Sequence, residues 1–273
     1  MMQNRISQSF NAHLATLRAH FKIIFTYRGM MLIQAVRLIL LPLVLAAAWL
    51  SIQKTAENPY SDADYLLYYL LVPVILNLTD SRLVFRFPMA VRDGSLSREL
   101  LKPFPPLSGY ALESIANNLI QLVYLLPFTL LAGYAISDRL QLSHINLQLL
   151  LFMVLAIMLG GLVRMLISGS ISLVGFWLED VTTLNLILNG GIWALLGGMI
   201  VPVATFPQHI RSIAEMLPYR YMLSFPIEIV TGRLSQAQIL HGFAVTIFWS
   251  LFFALIMRLI WKRGLKIYAA YGG

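Results

Sequence analysis

Residues 82–106 read RLVFRFPMAVRDGSLSRELLKPFPP. Arg82, Arg86, Arg92, Arg98 and Lys102 make this the most basic loop of the chain, and long apolar runs lie on both sides of it. A positively charged island between two runs long enough to cross a bilayer reads as the turn-around between two membrane spans. Within it, Asp93-Gly94 is a turn pair and Ser95 stands where a helix would be capped. Leu96 and Leu100 fall four apart on one helical face, and Pro103 ends the helix by excluding helical geometry at Lys102. A helix of about two turns over 95–101 does not hold in water alone, because nucleation costs more than so few hydrogen bonds return. A docking partner is therefore expected at this loop; the competing reading is a solvated connector.

Composition sets the class. The chain of 273 residues is 59% hydrophobic and only 12% charged, with mean hydropathy +0.75, whereas soluble domains carry roughly 25% charged residues. Several apolar stretches exceed the ~18 residues that read as a span, and they do not alternate as barrel strands would. The expected fold is an all-α polytopic membrane protein. The net charge of +8 then points to anionic lipid headgroups and the positive side of a membrane rather than to nucleic acid. Without cysteine there are neither disulfides nor thiolate sites. Ala46-Ala47-Ala48 resembles a cleavage site, but the polar region before Met30 is too long for a signal peptide.

Six spans are expected, at 30–52, 65–87, 107–136, 147–177, 182–201 and 239–260. Before them, residues 1–29 form an amphipathic segment in which apolar residues including Phe10, Leu14 and Phe21 recur at helical steps, with Arg18 and Lys22 among the polar positions. That pattern suits a helix lying in the membrane interface. The fourth run is too long for one upright helix, so it should tilt, project beyond the bilayer or break at Gly160-Gly161. Arg164 within it reads as a snorkelling or paired residue. A 30–262 transmembrane region thus contains a basic loop at 88–106, and 263–273 forms a basic tail.

Polar residues inside the spans are costly and face protein or a water-filled path. Asn77 lies in the inner half of the second span. Glu113, Asn117, Gln121 and Tyr124 share one face of the third, and Asn185, Asn189 and Trp193 recur every four residues in the fifth. Each set either lines a pathway or bonds helix to helix. Gly190, Ala194 and Gly198 give the fifth span a small-residue face.

Residues 202–232 are apolar but interrupted by Pro202, Pro207, Pro218 and Pro226, with Arg211, Glu215, Arg220 and Glu228 between. No spanning helix tolerates that pattern. Two short helices, at 209–217 and 219–230, should dip into the outer leaflet and leave on the same side as an external re-entrant hairpin before the last span; the alternative is a plain extracellular loop. Glu215, flanked by Pro207 and Pro218, is the acid expected at an external gate, paired with a basic group across a dimer. With both termini cytoplasmic, thirteen Lys and Arg fall inside and five outside, which fixes the orientation.

Known catalytic signatures are missing. None of the five lysines follows glycine, so a Walker A loop is excluded. No G-x-G-x-x-G, G-x-S-x-G or H-E-x-x-H occurs, and the five histidines are scattered over both expected sides. No metal site is expected, and the chain is not expected to be an enzyme.

GGMIVPVATFP at 197–207 and AEMLPYRYMLSFPIEIVTG at 214–232 resemble the last third of type-2 ABC (ATP-binding cassette) exporter permeases. The loop VRDGSLSRELLKPFP at 91–105 and the tail RGLKIYAAYGG at 263–273 resemble the corresponding parts of a bacterial branch of that family. The resemblance implies six spans with both termini in the cytoplasm, in a bacterial inner membrane. It implies a second permease copy, as homodimer or heterodimer, and a separate ABC ATPase dimer carrying ATP and Mg, with no cofactor on this chain. The N-terminal helix, and Asp93, Gly94, Ser95, Leu96, Arg98, Glu99 and Leu100 of the loop, would form the ATPase interface. A small amphiphilic or lipid-like substrate would be exported near the second and fifth spans. The alternatives are a secondary transporter or channel working without ATP, and a membrane enzyme. The lack of an internal repeat weighs against the first, and the lack of clustered acid and base groups against the second.

Overall fold

Apolar runs of span length leave the backbone no hydrogen-bonding partner but itself, and every such run is helical. A computed structural model describes residues 28–51, 60–140 and 142–268. The interface residues Phe10, Leu14, Arg18, Phe21 and Lys22 lie outside the described residues. Among those described, all regular structure is helical. The elements are α1 (Arg28–Ser51), α2 (Asp62–Thr79), α3 (Leu83–Arg92), α4 (Leu96–Leu100), α5 (Pro106–Ala135) and α6 (Leu147–Leu173), then α7 (Thr182–Asn185), a π-helical stretch (Leu186–Ile192), α8 (Trp193–Leu196), α9 (Gln208–Met216), α10 (Ser224–Val230) and α11 (Gln236–Ile267). Five helical runs are long and apolar enough to cross a membrane, and Thr182–Leu196 is a shorter sixth. The protein is an all-α polytopic membrane protein.

Three boundaries differ from the sequence reading. The second span is two helices, because α2 stops at Thr79 and α3 resumes at Leu83, so the loop that follows begins at Asp93 and not at 88. The fifth span ends at Leu196 and not at 201. At ~1.5 Å per residue it covers about 22 Å, short of the ~30 Å hydrocarbon core. The fourth run does not break at Gly160-Gly161. It continues to Leu173 and finishes in a 3₁₀ turn, Val174–Phe176.

The glycines have another use. A Cβ at Gly160 would stand 2.4 Å from the carbonyl oxygen of Tyr221, whereas one at Gly161 would find nothing nearer than 3.7 Å. Gly160 is thirteen residues into α6, about 20 Å along its axis. The segment after Val203 therefore reaches the middle of the bundle and returns. Its start is held near the Asp62 end of α2, where the Ile200 carbonyl accepts from Trp49 and Tyr69 at 3.0 and 2.8 Å. Its finish sits beside His144, 3.1 Å from the Val230 carbonyl. This is the re-entrant hairpin, with α9 and α10 as its arms.

The principal core joins α2, α6 and the hairpin through Tyr65, Tyr68, Val72, Val163, Met222 and Ile227. A second core, at the end of the bundle carrying the basic loop, joins α3, α4, α5 and α6 through Leu83, Phe87, Leu96, Tyr110 and Leu173. Burial of apolar area at roughly 25 cal/mol per Å² does not by itself drive helix packing in lipid. Shape fit at glycine positions decides it instead. Gly160→Ala should therefore lower the thermal unfolding midpoint in detergent by the equivalent of about 1–3 kcal/mol, while Gly161→Ala should leave it within error. Equal behaviour of the two variants would contradict the mid-bundle seat of Tyr221.

Candidate functional site

Three polar sets occur along the bundle. At mid-depth, the interruption between α2 and α3 frees backbone groups that lipid cannot satisfy, and α5 satisfies them. Asn118 Nδ2 donates to the Asp80 carbonyl at 2.8 Å, Asn77 Nδ2 donates to the Asn118 carbonyl at 2.8 Å, and the Arg82 N–H donates to Ser114 Oγ at 3.0 Å. Arg164 reaches in from α6. It donates to Thr79 Oγ1 at 3.2 Å and to Asp80 Oδ1 at 3.4 Å, and its guanidinium lies 4.3 Å from the Trp193 ring centre. Asn189 donates to Asn185 Oδ1 at 2.8 Å and to Ser168 Oγ at 3.1 Å. The structure thus sets Asn77 and, through Arg164, Trp193 beside Asp80, Arg164 and Asn118 in a collar at the break, while Asn185 and Asn189 bond to each other and to Ser168 on α6.

The expected stripe of the third span divides. Glu113 accepts from Arg86 at 3.0 Å, toward the basic end. Asn117 and Gln121 are buried, with Asn117 Nδ2 unpartnered among the described residues. Asn118 and Ser114, which hold the break, escape the four-residue stripe because they lie on its flank. The signal for them was the triplet Asp80-Ser81-Arg82 inside an apolar run, where a continuous helix would leave two charges unpaired.

The second set fixes the hairpin. Arg220 donates to Glu228, whose side chain is 1% exposed, and lies 3.6 Å from Glu215. Ser224 Oγ donates to the other oxygen of Glu228 at 2.7 Å. Tyr68 stands 3.1 Å from Ser224 Oγ and donates to the Gly198 carbonyl at 2.7 Å. Glu215 also accepts from Arg211 at 2.9 Å. Pro207 is exposed just before α9, and Pro218 is buried between the arms. The sequence reading noted Arg220 and Glu228 without pairing them; their spacing of eight crosses the turn between a 3₁₀ turn (Arg220–Met222) and α10, which periodicity alone does not reveal.

The third set is the basic loop. Gly94 adopts φ +72°, and Asp93 Oδ1 accepts from the Ser95 N–H at 2.9 Å. Asp93, rather than Ser95, is therefore the residue whose side chain orders the turn. Hydrogen bonds from Ser95 hold the Asp93 carboxyl below its usual pKa range. Its contribution is thus complete above that range and is lost only as pH falls through the lowered value. The helix is shorter than expected, Leu96–Leu100. Leu96 is 0% exposed within the second core, whereas Leu100 is 39% and Leu101 87% exposed. Leu96 is occupied by its own chain; Leu100 and Leu101 form the free apolar edge. Arg98 stands between them in sequence, and Glu99 pairs with Lys102 at 2.7 Å.

Among the described residues no group of three or more His, Asp or Glu is placed to hold a metal. For the buried pair, Glu228→Gln should cost about 3–5 kcal/mol by leaving Arg220 uncompensated. The double variant Arg220→Met, Glu228→Met should recover most of that loss. A double-mutant cycle on unfolding midpoints checks it, and additive losses would show that the two side chains do not act as a pair.

A family model described as ABC-2 family transporter protein matches residues 23–272. No curated protein and no solved structure gives a significant match.

Proposed function

The chain belongs to the ABC-2 transporter family, whose members are membrane permeases of ABC transporters, and from that premise we propose that it is the permease of an ATP-driven exporter. In this reading two permease copies, identical or sister chains, stand over a separate ABC ATPase dimer that binds ATP and Mg and hydrolyses the nucleotide. A small amphiphilic or lipid-like substrate moves outward, with a bacterial plasma membrane as the setting and both termini in the cytoplasm. Glu215, between Pro207 and Pro218, belongs to the external gate.

One observation carries the coupling part of the reading. The five-residue helix α4 is sealed in the bundle at its start by Leu96, while Leu100 at its end and Leu101 just after it are bare. Exposed adjacent leucines at a charged loop are a contact surface for protein. The sealed start rests on α3, α5 and α6, and Ser97 lies 3.2 Å from the Tyr268 hydroxyl. A push at the bare end would therefore pass to four spans. Arg98 and Glu99 at the rim would contribute less than about 1 kcal/mol each.

Replacing Leu100 and Leu101 together with Asp should leave insertion and thermal stability unchanged. It should reduce ATPase co-purification and substrate-stimulated hydrolysis at least about tenfold, since each fully buried leucine contributes about 1.5–3 kcal/mol. Leu96→Asp should instead destabilise the permease itself. Normal ATPase binding and transport by the Leu100, Leu101 variant would overturn the docking assignment. Orientation is tested separately: reporters at Arg139 and Arg233 should be external, and those at Arg98 and after Gly273 internal. An external tail reporter would reverse the topology.

A further inference from the structure

Beside the helix break, a cavity of about 560 Å³ lies between α5 and α6, within the size range of small-ligand sites. Its lips are the exposed apolar side chains of Ile115 and Leu119 on one helix and Val154, Met158 and Leu162 on the other. It therefore opens sideways at mid-depth. Met165 also lines a second cavity of about 430 Å³, which extends toward Arg258 and Trp261 at the basic end.

Among the described residues, Asp80 is the one ionisable residue lining this groove, and the donors beside it, the Thr79 hydroxyl and the Asn118 amide nitrogen, are committed to backbone carbonyls. The Asp80 side chain is 47% exposed, while its partner Arg164 is 11% exposed and approaches only Oδ1, from the inner side. Arg164 is retained there by Thr79 and Trp193. Asn118 lines the same groove. Its Nδ2 is committed to the Asp80 carbonyl, and its Oδ1 is buried without a partner among the described residues. A half-exposed carboxylate in an apolar, laterally open groove is expensive in lipid. Hydrocarbon tails cannot satisfy it, but a donor carrying positive charge can.

We propose that this groove is a lateral binding site for an amphiphile bearing a protonated amine, with the ammonium on Asp80 and the apolar chain between α5 and α6. The proposal rests on the transport reading and narrows its substrate class. Asp80 and Arg164 together are nearly neutral, so selectivity comes from the acceptor edge facing the groove, and ammonium N–H groups matter as well as charge.

The test is equilibrium binding of radiolabelled dodecylamine to the permease in zwitterionic-lipid nanodiscs, with empty nanodiscs subtracted, in the absence of ATPase and ATP. Saturable binding is expected, with dodecylamine preferred to dodecyltrimethylammonium, dodecanol weaker still and dodecyl sulfate excluded. Asp80→Asn should weaken dodecylamine at least about tenfold, equivalent to about 1.4 kcal/mol, and leave dodecanol unchanged. Met158→Trp, which fills the mouth without touching the ion pair, should weaken both, and it keeps the test valid if the Asp80 variant does not fold. No saturable binding, no preference for the amine, or unaltered affinity in both variants would each overturn the proposal. So would spontaneous disulfide formation between two Met158→Cys chains, which would place a second copy over the groove; the chain's lack of cysteine makes that readout clean. Because binding is measured without ATPase, loss of ATP-driven transport would count against the transport reading and not against this site.

Discussion

A backbone amide or carbonyl released inside an apolar bundle must find another partner, since no water replaces the lost one. Among the described residues the chain releases such groups at 79–82 and again after Leu196, and both stretches are answered by groups from other elements. At the first, Asn118 and Ser114 take over from the interrupted ladder, and Asn77 ties α2 to the Asn118 carbonyl. At the second, the carbonyls of Gly198 and Ile200 accept from Tyr68, Tyr69 and Trp49, and the Ser224 N–H donates to the Gly197 carbonyl at 3.2 Å. Gly198 takes φ +90°, a conformation that side chains disfavour. Remove these partners and neither interruption is sustainable at that depth.

The Arg220–Glu228 pair should be understood as a device of position more than of strength. Bringing two charges into an apolar interior costs several kcal/mol per ion, which their attraction returns only with good geometry and further hydrogen bonds. Ser224 supplies one such bond, and Glu215 supplies a second acid near Arg220. What the pair fixes is register: it closes the hairpin at one relative setting of its arms, with Tyr221 against Gly160 and Phe225 against Gly242. Larger apolar side chains could fill the same space without choosing that setting.

Much of this architecture is legible in the sequence because its strongest signals are local. Apolar run length gives the long helices, and the four prolines of 202–232 exclude a span and give the first hairpin arm to within a residue, whereas the second begins at Ser224 and not at 219 because a 3₁₀ turn, Arg220–Met222, precedes it. The break at Asp80 was not legible, since a polar triplet can also signal a snorkelling helix end, and only the partners on α5 distinguish the two. Leu96 and Leu100 looked equivalent because a four-residue spacing places them on one face. Their different fates depend on which core lies nearest, and helical periodicity holds no such information. The capping box of Ser235 and Gln238 that starts α11 was readable three residues before the expected start, but the hydropathy of the run that follows overshadowed it.

These features divide the bundle mechanically. Next to the hairpin, α2 is bound through Tyr68 and Tyr69 to a segment held by three separate helices, so it has little freedom. On the far side of Asp80, α3 follows α2 after the broken stretch and packs on α4 across the turn at Gly94, with Leu83, Phe87 and Leu96 in one core. Its Phe87 packs on Phe176 and Trp261, at 5.1 and 5.9 Å between ring centres. A displacement applied to α4 would thus be taken up by α3, the end of α6 and the end of α11 as one aromatic-cored unit. The point where that unit meets the fixed half is the collar of Asp80, Arg164 and Asn118.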